Sequence, residues 1–255
     1  MTEPVVVSDL SDGLLIITIN RPERRNAINR ETSLAIAREI DRLDASPDIR
    51  AGILTGAGDH FCAGMDLKAF LDGERVEIEG RGLAGLTETP PAKPLIAAVE
   101  GFALAGGFEI ALACDMIVAS DTARFGIPEV KRGLIAGSGG LIRLPERMPR
   151  QVALEFALTG RMMDAAEAAR WGLVNRTAAP GAALAEARRL AEEIIANAPL
   201  AVAATKEVIT RSREWPAAEI WDRQNAVLER VIASEDAREG ARAFAEKRAP
   251  EWRGA

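Results

Sequence analysis

The chain has 255 residues, of which 48% are hydrophobic and 27% are charged, and its 32 Lys and Arg against 38 Asp and Glu give a formal net charge of −6. This length predicts one or two domains, and the composition is typical of a soluble globular protein that buries a core without disulfides or metals. The two cysteines cannot form a framework of bridges and have no partner at metal-ligand spacing, so we expect a reducing cytoplasm and no metal site.

Charge and patterning exclude several classes of function. The balance is acidic and no basic stripe or platform of aromatic residues is present, so nucleic acid is not an expected partner. The start of the chain lacks a basic segment followed by an apolar run, and the most apolar stretch, residues 95–119, is interrupted by Glu100, Glu109 and Asp115. We therefore expect no contact with a membrane. A single histidine, His60, excludes a multi-histidine metal site.

The first third of the chain predicts a β-β-α unit followed by a strand. Residues 5–19 are typical of a hairpin, because the Asp-Gly pair at their centre favours the positive φ angles of a tight turn. Residues 30–44 carry apolar side chains at helical spacing, and residues 49–55 predict a short buried strand. Residues 70–93 are charged, contain glycine and show little periodicity, so we predict a segment that is mobile or shapes the substrate pocket.

The same pattern recurs loosely in the middle of the chain, and helices follow it. The middle segment predicts strands over residues 95–99, 116–119 and 124–126, with helices over about 105–114 and from about residue 138. Beyond Pro149, six periodic segments predict helix upon helix: residues 151–158, 165–171, 182–196, 200–211, 217–232 and 235–247. We therefore expect an α/β core followed by a helical tail.

Two glycine-punctuated turns leave buried strands and open helices, over residues 56–67 and 101–109. The first amides of a helix have no partner within it, so two such turns that face each other would form a cradle for an anion. Glu109 lies three residues after Gly106, on the same helical face and among apolar neighbours. A buried acid needs a partner or a chemical role, although complementing the helix dipole is the simpler explanation.

Three further acids lie near these segments, and two of them, Asp115 and Glu100, compete with Glu109 for a chemical role. Glu129 follows Pro128, which fixes the backbone at the end of a short strand. Asp115 lies just after a helix, and we expect it to cap or brace that turn. The sequence leaves the role of Glu100 open.

Together these segments resemble the crotonase superfamily, and most closely the enoyl-CoA hydratases. The motifs occur in the family's order, and the similarity extends from Val5 to about Pro250. They are Arg21-Pro22 with Asn26-Ala27, the loop from Phe61 to Leu67, the run from Gly101 to Asp115, Phe125 to Glu129 with Gly139-Gly140, Leu158 to Gly160, and Trp171 to Asn175.

The resemblance implies a fold, an assembly and a substrate class. The fold is α/β, a crotonase-like spiral of ββα repeats that we place at residues 1–195, with a C-terminal helical trimerisation region at residues 196–255. The implied assembly is a homotrimer or a dimer of trimers. The implied partner is an acyl-CoA thioester of lipid metabolism, so coenzyme A is part of the substrate and no separate cofactor is expected.

The resemblance also implies roles for individual residues. The backbone N–H groups of Met65 and Gly106 form an oxyanion hole for the thioester carbonyl, Glu109 activates water, and Glu129 protonates C2. This machinery hydrates a 2-enoyl-CoA to a 3-hydroxyacyl-CoA reversibly. Contacts to CoA or substrate are expected at Arg24, Arg25, Ala27, Ala63, Asp66, Leu67 and Lys68, and from the last helix of a neighbouring subunit at Phe244 and Lys247.

Three residues depart from the commonest hydratase pattern. Ala105 and Phe108 stand where many hydratases have glycine and a smaller residue, and Met65 is bulkier than the usual alanine. The expected oxyanion contacts are made by the backbone, so these changes affect the shape of the acyl pocket more than the reaction type.

Other functions stay open at this stage. The same oxyanion hole would serve isomerisation of an enoyl-CoA, dehydration of a hydroxyacyl-CoA or hydrolytic ring opening, and a silent CoA-binding scaffold is a further alternative. A serine hydrolase around Ser138 is the weakest, because Ala136 replaces the first glycine of the nucleophile motif and His60 precedes the serine, opposite to the order in α/β-hydrolases.

Overall fold

The computed structural model describes residues 3–255. Its strands are β1 (Val6–Ser11), β2 (Leu14–Ile19), β3 (Ala51–Gly56), β4 (Glu77–Ile78), β5 (Gly82–Leu83), β6 (Leu95–Val99), β7 (Phe102–Leu104), β8 (Met116–Ser120), β9 (Arg124–Gly126), β10 (Met163–Asp164) and β11 (Arg176–Ala178). Its α-helices are α1 (Arg30–Ala45), α2 (Leu67–Leu71), α3 (Gly106–Ala113), α4 (Gly140–Arg147), α5 (Arg150–Thr159), α6 (Ala165–Arg170), α7 (Ala183–Ile195), α8 (Pro199–Arg211), α9 (Ile220–Ile232) and α10 (Glu235–Glu246). Short 3-10 helices lie at Pro22–Arg24, Pro128–Arg132, Ser212–Glu214 and Ala217–Glu219.

The main sheet has six strands in the order β1-β2-β3-β6-β8-β11. β1 and β2 form an antiparallel hairpin, and each later strand runs parallel to its neighbour. The hairpin turns at Asp12 and Gly13, whose φ angles of 51° and 78° confirm the predicted tight turn. Parallel neighbours require a long crossover between them, so the chain returns to the sheet through repeated units.

Each of these units contains a second, short strand and a helix. β6 leads into β7 and α3, and β8 leads into β9 and α4. β7, β9 and β10 form a second sheet. A bridge between Cys62 and Ala103 extends the arrangement to the unit that β3 opens and α2 closes. The repeated units confirm the predicted α/β spiral of ββα repeats.

The main sheet is buried on both faces. One face packs on the second sheet and on α1 and α3, in a cluster that includes Leu15, Leu54, Phe108 and Phe125. The other face carries Leu14, Ile16, Ile53, Ile96 and Val118 and is covered by Ala187 and Ala191 of α7. Because successive side chains of a strand point to opposite faces, burial of both faces explains why these strands are apolar runs without alternation.

The region beyond Pro149 is less uniformly helical than expected. β11 pairs with β8 and ends the main sheet, and β10 pairs with β9. Two or three residues are too few to show the alternation that identifies a strand in a sequence. The helix expected from about Ser138 begins at Gly140, because Gly139 has a φ of 95°, outside the helical region.

The last three helices contribute little to the core. α8 contains no buried residue, α9 buries Val227, and α10 buries Asp236 and Ala243. The division at residue 195 and the role of this region in trimerisation stay predictions. Among residues 3–255, no helix combines the length and the apolar composition that a bilayer crossing requires.

Candidate active site

The first predicted turn leaves the backbone N–H of Met65 without a hydrogen-bond partner. The Ile28 amide donates to Gly64 O at 2.8 Å, and the Asp66 amide donates to Ile28 O at 2.8 Å. Since backbone groups alternate in direction along such a bridge, the Met65 N–H points away from Ile28. Within residues 3–255 it donates no hydrogen bond to another backbone or side-chain group. Gly64 makes this turn with a φ of 98°.

The second turn holds the amide of Gly106 free in the same way. Gly106 is the first residue of α3, and its N–H, like those of other first-turn residues, has no partner inside the helix. The preceding Ala105 has φ 50° and ψ −129°, a backbone conformation that costs a residue with a Cβ about 1 to 3 kcal/mol. Strain of this kind is typical of functional turns.

The two free amides lie side by side. A Cβ at Gly64 would lie 3.2 Å from Gly106 N, and a Cβ at Gly106 would lie 3.7 Å from Met65 N. Met65 and Gly106 both line a cavity of about 1010 Å³, together with Glu109 and Glu129. The predicted cradle of two facing turns is therefore present, and it opens into a cavity large enough for a small ligand.

Glu109 is a buried carboxylate at the end of a second helix. Its side chain leaves α3 and is only 2% exposed. Its Oε1 accepts the backbone N–H groups of Ser138 at 2.7 Å and Gly140 at 2.9 Å. Gly140 opens α4, so the N-terminal dipole of that helix stabilises the carboxylate. The simpler explanation, that Glu109 complements its own helix dipole, is incomplete, because α4 also holds the side chain.

The carboxyl group of Glu129 has fewer hydrogen-bond partners than that of Glu109. Glu129 lies in the 3-10 helix after Pro128, and its Oε2 is the one buried side-chain oxygen or nitrogen in residues 3–255 that has no hydrogen-bond partner. Buried polar atoms are almost always bonded in folded proteins, so an orphan oxygen in a cavity wall is a group that awaits a ligand or a proton.

Both carboxyl groups are held toward the protonated form. Burial raises the pKa of Glu109, while the amides of Gly140 and Ser138 and the positive charge of Arg143 oppose the shift and the charge of Glu77 adds to it. Burial also raises the pKa of Glu129; its own amide opposes the shift, the charge of Glu109 adds to it, and Arg132 opposes it. The two groups titrate as a pair, and Glu129 is the one without neutralising hydrogen bonds from other residues.

This arrangement has the parts of a general acid-base site next to an oxyanion hole. The amides of Met65 and Gly106 can donate to one ligand oxygen. A carboxylate held by two amides and a carboxyl group with a free oxygen line the same cavity. Such a site can stabilise an enolate while moving protons at the adjoining carbons.

The structure places the predicted CoA and substrate contacts in two groups. Ala63 and Leu67 line the cavity. Arg24, Arg25, Ala27, Asp66 and Lys68 lie on the adjoining segments and are not part of its wall. Asp66 has a structural role, because its Oδ1 accepts the amide of Lys68 at 3.2 Å as the N-cap of α2 and its Oδ2 pairs with Arg21 at 3.0 Å.

Phe244 and Lys247 lie on the surface, away from the core. Phe244 is 87% exposed, so within this chain it does not pack its own helix. Lys247 ends α10 with a φ of 54°. Their expected contact with a neighbouring subunit stays a prediction.

The competing polar residues have structural partners. Glu100 accepts the amide of Ala183 at 2.9 Å, at the start of α7. Asp115 accepts the amide of Leu95 at 2.8 Å and pairs with Lys206 at 2.6 Å, so the predicted bracing role is confirmed. His60 stacks on a phenylalanine ring, that of Phe102, with ring centroids 4.6 Å apart. In the described part of the chain no hydrogen bond joins it to Ser138, which the serine hydrolase alternative requires.

Several residues of the site were missed from the sequence. The poorly periodic stretch contributes much of the wall, which confirms its predicted part in shaping the cavity: Phe70, Glu74, Arg75, Val76, Glu77, Glu79 and Leu83. Leu134 and Ile135 are further apolar residues of the wall. Arg143 donates to Thr87 O at 2.6 Å and so connects α4 to that stretch. Only contact across the fold identifies these residues, because no local pattern marks them.

The described residues contain no cluster of metal-ligating side chains. In residues 3–255, no group of three or more histidine, cysteine or acidic side chains is arranged to hold an ion. The expectation that no metal and no separate cofactor is needed stays a prediction.

Comparison with known proteins gives matches over the full length. The family model described as enoyl-CoA hydratase/isomerase matches residues 9–255. A crystal structure of an enoyl-CoA hydratase from Mycobacterium marinum is 59% identical, with a TM-score of 0.98 over 99% of this chain and 100% of that chain. A carnitinyl-CoA hydratase structure from Mycobacterium avium is 44% identical, with a TM-score of 0.80 over 100% of both chains. A carnitinyl-CoA dehydratase of Proteus mirabilis is 46% identical over 250 residues, 95% of each chain.

Proposed function

The chain belongs to the enoyl-CoA hydratase/isomerase family, and we propose that it adds water across the double bond of a 2-enoyl-CoA to give the 3-hydroxyacyl-CoA, and that it catalyses the reverse dehydration. Relatives named for hydration and for dehydration support one reversible reaction of a hydro-lyase. The observation that carries the proposal is the pair of acids, Glu109 and Glu129, in one cavity with two free amides.

The amides of Met65 and Gly106 bind the thioester oxygen. When water adds at C3, negative charge moves through C2 to this oxygen, and donors already in position stabilise it without rearrangement. Loss of one such donor in comparable sites costs about 2.7 to 4 kcal/mol of transition-state stabilisation. The turns that present these amides therefore supply a large part of the catalysis.

The two acids move the protons. Glu109 is the group that two amides and a helix dipole stabilise as a carboxylate, so it takes the proton of the attacking water. Glu129 has an oxygen without a partner and little stabilisation of its charge, so it carries the proton that C2 receives. Dehydration uses the same groups in the opposite sense.

The remaining expectations from the sequence form part of this proposal. CoA lies along Arg24, Arg25, Ala27, Ala63, Asp66, Leu67 and Lys68, with Phe244 and Lys247 from a neighbouring subunit. The protein acts as a trimer or a dimer of trimers in the cytoplasm, where two free, buried cysteines persist as thiols. Residues 1–195 form the catalytic spiral and residues 196–255 the assembly region.

Replacing each acid by its amide tests the proposal. Glu109→Gln and Glu129→Gln remove a proton carrier with almost no change of shape, so each variant should lose hydration of a short 2-enoyl-CoA by about 100- to 10,000-fold in kcat. KM should change little, because each substitution keeps the shape of the side chain and leaves the two oxyanion amides in place. Absorbance of the conjugated thioester measures the reaction directly.

Glu88→Gln is the matched control, because Glu88 is exposed and is not part of the cavity wall. It should retain wild-type turnover. Near-normal turnover in either acid variant would overturn the assigned roles. A wild-type protein that moves the double bond or hydrolyses the substrate, without adding water, would instead support isomerisation or hydrolytic ring opening.

A further inference from the structure

The segment before α1 runs alongside the loop that presents the Met65 N–H, the first of the two oxyanion amides. Three backbone hydrogen bonds of 2.8 to 3.0 Å join residues 25–28 to residues 63–66. Two of them are made by Ile28, which lies opposite Met65. The direction of the Met65 N–H therefore depends on how these two segments are held together.

The guanidinium group of Arg21 connects the two segments. Its Nη1 donates to Ala27 O in the first segment, and its Nη2 pairs with Oδ2 of Asp66 in the second at 3.0 Å. The contacts are made at the residue before Ile28 and at the residue after Met65, so Arg21 spans the bridge between them. The Arg21 and Asp66 side chains are only 13% and 16% exposed, so solvent ions screen this pair less than a surface pair.

A buried asparagine fixes the turn that carries Arg21. The Asn26 side chain is inaccessible to solvent, and its Oδ1 accepts the amide of Arg21 at 3.0 Å. Its Nδ2 donates to Ala57 O at 2.9 Å and to His60 O at 2.6 Å. Asn26 has a φ of 57°, a left-handed conformation in which asparagine is enriched. The turn is therefore tied to the loop after β3, and the guanidinium group extends from a fixed base.

The ion pair keeps its charge near neutral pH. Burial opposes ionisation of Asp66, but the hydrogen bond and charge of Arg21 outweigh it and hold the pKa of Asp66 below its ordinary value. The amides of Ala69 and Lys68 act in the same direction. A largely buried carboxylate that loses its cation is unfavourable, so removal of Arg21 should displace Asp66 and the adjoining Met65 amide.

We propose that Arg21 is a positioning residue for the reaction, because its guanidinium group fixes the direction of the Met65 N–H and so sets how strongly this amide binds the thioester oxygen. The inference rests on the proposed function, since it concerns the same oxyanion hole. Arg21 is not part of the cavity wall, so it acts through the backbone and not on the substrate.

Two substitutions of Arg21 test the proposal. Arg21→Gln removes the charge and cannot span both partners, so kcat for hydration of a short 2-enoyl-CoA should fall about ten-fold, with a smaller change in KM. Arg21→Lys keeps the ion pair with Asp66, but one ammonium group cannot also reach Ala27 O, so its kcat should be intermediate. Arg42→Gln is the matched control, because Arg42 pairs with Glu39 on the exposed face of α1. It should retain wild-type kcat.

The carbonyl stretching frequency of a bound thioester reports the hydrogen bonds of the oxyanion hole directly. Butanoyl-CoA has no double bond to hydrate, so an isotope label on its carbonyl carbon gives a stable infrared signal. In the wild-type protein the two amides should lower this frequency relative to the free thioester. Arg21→Gln should lose much of the shift, and Arg21→Lys should lose less. A purely structural role would lower the melting temperature and leave the frequency of the bound ligand unchanged.

The outcomes separate this inference from the proposed function. Wild-type kcat in both variants, or a reduced kcat with an unchanged carbonyl frequency, overturns the role of Arg21 and leaves hydration in place. If Arg21→Gln does not fold, wild-type kcat and carbonyl frequency in Arg21→Lys overturn the role. A wild-type protein that shifts the carbonyl frequency without hydrating the substrate overturns the proposed reaction, and the frequencies of the variants still decide the role of Arg21. No shift in the wild-type protein overturns both.

Discussion

Glu129 is the residue whose charge the fold accommodates least well. Its Oε2 is buried without a hydrogen bond, and the nearby carboxylate of Glu109 repels its charge. A proton on Glu129 removes both penalties. The group that the mechanism needs as a proton donor is thus the one for which deprotonation is unfavourable, and catalytic use and stability are opposed at this position.

The raised pKa of Glu129 predicts how stability depends on pH. Between the ordinary pKa of a carboxyl group and the raised value in the folded chain, the folded state binds more protons than the unfolded state. The free energy of unfolding therefore falls as pH rises through this window. Glu129→Gln lacks this loss, so its melting temperature should increasingly exceed that of the wild type as the pH rises through this window, and the difference should then stay constant.

Thermal denaturation of both proteins across this pH range measures the effect. Glu88→Gln, with its exposed side chain, should follow the wild-type curve. A constant difference between Glu129→Gln and the wild type at all pH values would show that burial does not control the titration of Glu129.

At the scale of elements, the first turn of α4 positions the carboxylate of Glu109. A Cβ at Gly140 would lie 3.0 Å from Cγ and 3.1 Å from Oε1 of Glu109, closer than ordinary contact. Gly140→Ala should therefore displace the carboxylate by a few tenths of an ångström and reduce kcat about ten-fold. Steady-state hydration of a short 2-enoyl-CoA measures the change.

Gly137→Ala is the matched variant for this experiment. It adds the same methyl group three residues earlier, in the loop that leads into α4, where no atom lies within 4 Å of the new Cβ. Its kcat should change far less than that of Gly140→Ala. Equal losses in the two variants would show that the turn itself, and not the position of Glu109, limits the rate.

The long elements were predictable from the sequence because each carries its own periodic pattern. α1 and α7 have apolar side chains at helical spacing, and β6 is a run of apolar residues that ends at a glycine turn. Asp12 and Gly13 specify their turn locally. The first glycine turn of the site was predictable for the same reason, since it lies between a buried strand and a helix. The second, residues 101–109, was predicted only in part, because it contains the short strand β7, whose partner β9 is distant in the sequence.

The short elements were not predictable, because their pairing depends on distant partners. β11 has three residues and is a strand only because it pairs with β8. β4 has two residues and pairs with β5. The resemblance to the family identified Glu109 and Glu129. Glu77 lay in a stretch without a readable pattern, and it reaches the cavity wall through the pairing of β4 with Leu83 of β5.

At the scale of the whole molecule, α10 presents an apolar side chain with nothing to cover it in this chain. Phe244 is 87% exposed, and Trp221 of α9 is 70% exposed. Large apolar side chains exposed in this way are typical of surfaces that bind another protein. We expect sedimentation of the protein as a trimer or a dimer of trimers, and Phe244→Ala should raise KM for the acyl-CoA at least five-fold.

Phe244 contributes almost nothing to the core of its own chain. The monomer of the Phe244→Ala variant should therefore have nearly the same melting temperature as the wild-type monomer. A wild-type protein that is monomeric at micromolar concentration and fully active would contradict the contribution of Phe244 from a neighbouring subunit.

The order in which the sheet is covered has a consequence for biosynthesis. β1 to β8 leave the ribosome well before α7, whose Ala187 and Ala191 cover Leu14, Ile53 and Ile96. Until that helix emerges, the nascent chain exposes the apolar face that α7 later covers. A chain whose translation stops before α7 therefore exposes this apolar surface permanently and should aggregate.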